Sequence, residues 1–359
     1  MRIRAALAAS LTALGLGVAG SAFALPATAG PAGHHPGDLG ACSPSVSLVA
    51  YDDELDGASF QGEDIGGLSA FAHDGHHILA LSDRSTLWTM SVRTGAHLSA
   101  KPLGFQPIKD EQGQPLDDEA LVVDRDGTRL VTSEAEPSIR RFDRDGTVLS
   151  RLPVPDRFQA QPAGEADPNG SFEGMTMLPG GHSLVASMEE PLSGDGTDAD
   201  GNGLVRFLRW DRPRHGEFEL ARQYAFTVDA GLGISEVQAV SPTKLLVLER
   251  GYTSGYGNTI RLYEADLAGA SDVTDVPSLK DAHVRQARRT LLADLVKCPT
   301  AGATNKETQA NPLLDNIEGM TLTGRRLPGG RQELMLVSDN NFSADGQTTR
   351  LYSLAVRVH

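Results

Sequence analysis

From residue 45 onward the chain is written in short runs of apolar or alternating residues separated by Gly, Asp and Pro, with the period of β-strands rather than of helices. The same unit recurs five times: a motif that in its fullest form reads acid-Gly-Leu/Met-Ser/Thr, a turn, an apolar strand ending in a carboxylate, and a second, alternating strand. The first copy runs from Ile65-Gly66-Gly67-Leu68-Ser69 through the strand 78–82 to Asp83-Arg84 and the strand 86–92. The second carries Glu119-Ala120-Leu121, the strand 130–133 and Glu134; the third carries Phe172-Glu173-Gly174-Met175-Thr176, the strand 183–188 and Glu189. The fourth is looser, with Ser235-Glu236-Val237, the strand 244–248 and Glu249-Arg250; the fifth has Ile317-Glu318-Gly319-Met320-Thr321, the strand 333–338 and Asp339.

The motif centres lie 53 residues apart from Gly67 to Ala120, then 54 to Gly174, 63 to Val237 and 82 to Gly319. A long unit of antiparallel strands repeated at this spacing points to an all-β protein of the β-propeller class. The last, long gap holds a helical-looking stretch over 279–296, read either as an insertion or as a degenerate blade, so five or six blades are expected with six favoured. The strand 46–51 precedes the first motif and is expected to complete the last blade and close the ring.

In such a blade the start of the inner strand and the end of the antiparallel second strand share one mouth of the central channel. The repeat places acids at both points. Glu119, Glu173, Glu236 and Glu318 open inner strands; Asp83, Glu134, Glu189, Glu249 and Asp339 close second strands. Carboxylates gathered at one mouth repel unless protonated or neutralised, and Ca²⁺, which takes about six to eight oxygens in flexible geometry, is the expected cofactor, with these nine residues as candidate ligands. An acid at such a position can instead lock a turn by accepting backbone hydrogen bonds. Arg84 and Arg250 each follow one of the acids and are candidate phosphate forks.

The motif set Gly66-Gly67-Leu68-Ser69, Leu81-Ser82-Asp83-Arg84, Phe172-Glu173-Gly174, Leu248-Glu249-Arg250, Glu318-Gly319 and Ser338-Asp339-Asn340-Asn341-Phe342 resembles the phytase-like family described by esterase-like activity of phytase, from about residue 46 to the C-terminus. The resemblance implies a secreted propeller, dependence on a divalent metal and hydrolysis of phosphate esters. With it, the expected function is a metal-dependent phosphoric-ester hydrolase acting on a small phosphorylated substrate, with Glu173, Glu318, Arg84 and Arg250 as catalytic candidates. The rival expectation is a non-catalytic propeller whose calcium ring is structural and whose mouth binds a ligand or partner protein.

The motifs of other catalytic chemistries are mostly absent, and carboxylesterase activity would require a nucleophile that the sequence does not reveal. There is no G-x-S-x-G elbow, no G-x-x-x-x-G-K-S/T loop and no H-E-x-x-H helix, and the one G-x-G-x-x-G falls at Gly15 to Gly20. The segment Asp198-Ala199-Asp200-Gly201-Asn202-Gly203 starts like a calcium loop but has Arg209 at the twelfth position, and reads as an acidic turn, with an accessory Ca²⁺ site as the alternative.

Composition sets the surroundings. The 359 residues carry a formal charge of −15, so nucleic acid is not an expected partner and cations are. Arg2, Arg4, an apolar run over 5–18 and Ala22-Phe23-Ala24 read as a signal peptide over 1–24, cleaved near Ala24, followed by a flexible spacer over 25–44 and the propeller domain over 45–359. No membrane span is expected, and a secreted or periplasmic, monomeric protein is. Cys42 and Cys298, the only cysteines, are expected to form one disulfide, with two buried thiols as the alternative.

Overall fold

The structure, a computed structural model, describes residues 38–214, 216–280 and 282–359. The signal peptide expected over 1–24 and residues 25–37 of the expected spacer lie outside the described residues. Among those described, five blades are built, almost without helix. The first four are sheets of four antiparallel strands. Their inner strands are Leu68–Asp74, Asp118–Val123, Phe172–Met177 and Gly233–Ala239. The fifth blade runs outward from Asn316–Leu327 through Arg331–Asp339 and Leu351–Val356, and Val46–Asp52 pairs antiparallel with Leu351–Val356. The five inner strands pack one against the next around a central channel, the fifth against the first.

Each pair of successive blades encloses its own apolar core. Blades 4 and 5 share Leu246, Leu248, Ile260 and Leu262 with Leu334, Leu336 and Leu354, whereas Leu245 and Val247 face blade 3 with Val205, Phe207 and Phe226. A strand covered on both sides needs apolar residues at successive positions, which is why Leu245-Leu246-Val247-Leu248 reads as an unbroken run. Truncating such a buried leucine to alanine costs about 2–5 kcal/mol.

No sixth blade forms among the described residues. Among its described residues the stretch 279–296 contains no helix longer than the 3₁₀ turn Leu295–Lys297; it holds the strand Arg288–Asp294, which pairs with Arg261–Asp266 and finishes blade 4. Pairing the open edge of Gly257–Asp266 outweighs the helix propensity of its Ala, Arg and Leu residues. The segment before it is anchored on blade 3 by Arg206, which is fully buried, bonds Asp195 at 2.7 Å and donates to the carbonyls of Val273 and Val276. These additions account for the 82-residue gap. Ahead of residue 45, Gly40–Ala41 pairs with Ser47 and Leu48, and Cys42 is disulfide-bonded to Cys298, 256 residues away. No helix among the described residues is long and apolar enough to cross a membrane.

Candidate functional site

Where inner and second strands meet at one mouth, the ladder slips. In four blades a bulge falls at the motif: at Ser69 between Leu68 and Ala70, at Glu119-Ala120, at Glu173-Gly174 between Phe172 and Met175, and at Glu318 between Ile317 and Gly319. A bulge re-aims a side chain, and here it swings Glu119, Glu173 and Glu318 into the channel mouth. In the first three blades the second strand ends one residue before its acid, at Ser82, Ser133 and Met188, and in the fifth it ends on the acid, Asp339, so each acid turns inward at the end of the ladder.

The outcome is a cavity of about 310 Å³ lined, among the described residues, by eight carboxylates, Asp83, Asp117, Glu119, Glu134, Glu173, Glu189, Glu318 and Asp339, by one cation, Arg250, and by Ser69, Asn169 and Asn341. Asp117, Glu119 and Glu134 present oxygens within 4.8 Å of one another, as do Glu134, Glu173 and Glu189, so Glu134 belongs to both triads. Arg250 Nη2 lies 3.3 Å from Glu318, 3.4 Å from Glu189 and 3.8 Å from Glu173.

Burial and mutual repulsion act together on these acids. Burial, opposed by Arg250 at Glu189 and Glu318 and by the Ser171 amide at Glu134, lifts these three carboxyls to about 7. Burial also pushes Glu119, Glu173 and Asp339 well above the carboxylate range, with neighbouring carboxylates adding to the rise. Asp83 and Asp117 are raised for the same first reason.

Two expected ring members are elsewhere, and one register change explains both. In blade 4 the bulge falls one residue early, at Ser235, and the ladder continues past the acid, pairing Ile234 with Glu249 and Gly233 with Arg250. Strand alternation then turns Glu249 toward blade 3, fully buried, where it accepts from the Asp229 amide at 3.0 Å and lies 3.7 Å from Arg289. Arg250 takes the mouth. Glu236, now in register beside Leu248, accepts from the amides of Met175 and Val237 and lines a separate cavity of about 210 Å³ bounded by Met175, Met177, Met320 and Gln238. Arg84 is exposed on the rim, its guanidinium 3.4 Å from the centre of the Phe342 ring. Asp117 was not among the expected ligands; the run Asp117-Asp118-Glu119 signals it, but only its left-handed backbone, φ 71°, aims it inward.

The motif residues have structural reasons. Asn340 Oδ1 accepts from the amides of Gly67 and Phe342, joining blade 5 to blade 1, and a Cβ on Gly67 would stand 2.1 Å from Asp83 Oδ1. A Cβ on Gly174 would meet the Val237 amide nitrogen at 2.6 Å, so the glycine after the acid lets inner strands approach at the axis. Asp198 Oδ1 accepts from the amides of Asp200 and Asn202, the acidic turn expected there.

The family model described as phytase-like, esterase-like activity of phytase, matches residues 63–342. No curated protein matches the chain. Among solved structures, the glutaminyl cyclase of Myxococcus xanthus is similar at 13% identity over 87% of this chain and 97% of its own, with a TM-score of 0.42. A provisionally assigned gluconolactonase is similar at 15% identity over 79% of this chain and 71% of its own, with a TM-score of 0.34.

Proposed function

We propose, because the chain belongs to the phytase-like family, that it is a secreted, calcium-dependent phosphoric-ester hydrolase working at the acidic mouth. The observation that carries this reading is the gathering of eight carboxylates and one arginine around a single cavity. That donor set fits a hard cation. It is all oxygen, without His or Cys, and it contains two carboxylate triads sharing Glu134. In this reading Asp117, Glu119, Glu134, Glu173 and Glu189 hold the metal, with Asp83, Glu318 and Asp339 beside them. When bound, Ca²⁺ supplies charge neutralisation and Lewis-acid polarisation of a phosphoryl oxygen.

The chain's own groups divide the remaining work. Hydrolysis cleaves the ester P–O bond, and water supplies one proton to the departing alcohol and the oxygen to phosphorus. Arg250 offers guanidinium N–H groups to the phosphate oxygens that replace its carboxylate contacts. Glu318, raised to about 7 by burial, is matched to accepting a proton from the attacking water near neutral pH, with Glu173 beside the same Arg250 nitrogen, Nη2. Glu236, Glu249 and the exposed Arg84 have no part in this. The Cys42–Cys298 bridge suits an oxidising compartment, which supports secretion.

The test is phosphate release by the purified protein from phosphomonoesters, phosphodiesters and phytate, in Ca²⁺ and in chelator. Calcium-dependent release that Glu173→Gln or Glu318→Gln abolishes supports the reading. Calcium-dependent stabilisation with no release from any ester makes the ring structural.

A further inference from the structure

The register change that brings Arg250 into the cavity has a second effect. Among the second strands, only that of blade 4 continues well beyond the mouth: Lys244–Thr253 pairs with Gly257–Asp266 up to Tyr252 with Asn258 and Thr253 with Gly257. The strands at the same position elsewhere stop at Ser82, Ser133, Met188 and Asp339. Thr253 lies five positions beyond Leu248, the counterpart of Met188, so this strand runs on roughly 16 Å past the point where that of blade 3 ends, at 3.3 Å per residue.

The hairpin is held in place. The Asn258 amide donates to Gln309 Oε1 at 2.7 Å, and a Cβ on Gly257 would collide with that oxygen and with the Thr308 carbonyl, so glycine lets the hairpin seat against the 300–312 loop. On its far face, a Cβ on Gly251 would meet the Gly231 carbonyl at 2.4 Å. The ladder is unbroken between Arg250 and Tyr252, so both side chains project from one face, with Tyr252 roughly 7 Å further out than the arginine that lines the cavity. Tyr252 is 56% exposed and Tyr256, in the turn, 45%, while Tyr224, Tyr263 and Tyr352 are buried. The described residues of the cavity wall below are all polar or charged, so the wall offers no apolar surface to the organic half of an ester.

We propose that Tyr252 and Tyr256 form an aromatic lip that binds the alcohol moiety of the substrate, making the substrate class a phosphate ester whose alcohol carries an aromatic ring. This inference rests on the acidic cavity binding phosphate, as in the reading above. The phosphate enters beside Arg250 and the ring stacks on tyrosine above it, a contact that supports about a tenfold preference.

The experiment compares phenylphosphonate with methylphosphonate by calorimetry on the calcium-loaded protein, and phenyl phosphate with glycerol phosphate in turnover, for wild type, Tyr252→Phe and the double variant Tyr252→Ala/Tyr256→Ala. Wild type and Tyr252→Phe should favour the phenyl compounds about tenfold, and the alanine variant should lose that preference with its melting temperature and its glycerol phosphate turnover unchanged. Equal affinity for the two phosphonates in wild type, or an equal loss for both in the alanine variant, overturns the lip. Tyrosine-dependent phenylphosphonate binding without turnover upholds the lip and overturns the hydrolase reading. Turnover without a phenyl preference does the reverse, and binding of neither phosphonate overturns the lip.

Discussion

Glu249 and Arg250 are neighbours in sequence and occupy opposite faces of one strand: Arg250 reaches to 3.3 Å from Glu318 inside the acidic cavity, while Glu249 is buried toward blade 3, 3.7 Å from Arg289. Among the described residues Arg250 is therefore the one cation lining a cavity of eight carboxylates, and metal-free stability depends on it.

Arg250→Gln is expected to destabilise the chelated protein by about 2 kcal/mol or more, since it leaves Glu173, Glu189 and Glu318 without their counter-charge. Urea unfolding in chelator measures this, and saturating calcium should recover much of the loss. An unchanged midpoint in chelator would show that the arginine does not offset the ring.

Glu173→Gln and Glu318→Gln should lower phosphate release by at least about 100-fold, while melting temperature in chelator stays level or rises because a repelling charge is gone. A variant that unfolds in chelator, or that keeps its turnover, counts against these assignments.

Glu134→Gln should weaken calcium binding by more than about tenfold, because Glu134 belongs to both triads. Glu236→Gln and Glu249→Gln should leave affinity within about twofold, since both carboxylates are spent on backbone amides outside the cavity. Calorimetric titration separates the two groups, and equal effects across all three variants would restore the symmetric ring.

The pH dependence follows from carboxyls lifted from 4.5 to about 7 at Glu134, Glu189 and Glu318. The folded chain keeps protons there that the unfolded chain releases near pH 4.5, so their contribution is complete below that pH and fades as pH rises through 7. Asp124 and Glu111, lowered to about 2, contribute constantly across this window. Melting temperature in chelator should fall from pH 5 to pH 8, and calcium should reverse the trend by binding the ionised form. A flat or rising profile in chelator would contradict the burial of these acids.

The Cys42–Cys298 bridge ties together positions 256 residues apart, and its loss should cost about 2–5 kcal/mol. Chemical denaturation of Cys42→Ser/Cys298→Ser against wild type reads this directly, with calcium affinity unchanged because neither cysteine lines the mouth.

Much of the molecule was legible from the chain alone. A repeated unit with apolar strands bounded by acids specifies blades and sends one class of acid to one mouth, because antiparallel pairing brings the start of one strand to the end of the next. Seven of the nine acids expected there line the cavity: Asp83, Glu119, Glu134, Glu173, Glu189, Glu318 and Asp339. The Ser338-Asp339-Asn340-Asn341-Phe342 run marked a real junction, Asn340 tying blade 5 to the Gly67 turn.

What the tertiary structure alone decided is register and edge pairing. A one-residue displacement of the blade 4 bulge to Ser235 exchanges the two faces of a strand, because side chains alternate with period two. That displacement removes Glu236 and Glu249 from the mouth, installs Arg250 and raises the tyrosine hairpin, yet the local motif Ser235-Glu236-Val237 does not encode it. Blade number was settled in the same way: the stretch 279–296 satisfies an unpaired strand edge in blade 4 through Arg288–Asp294, and that edge exists only once the sheet has formed.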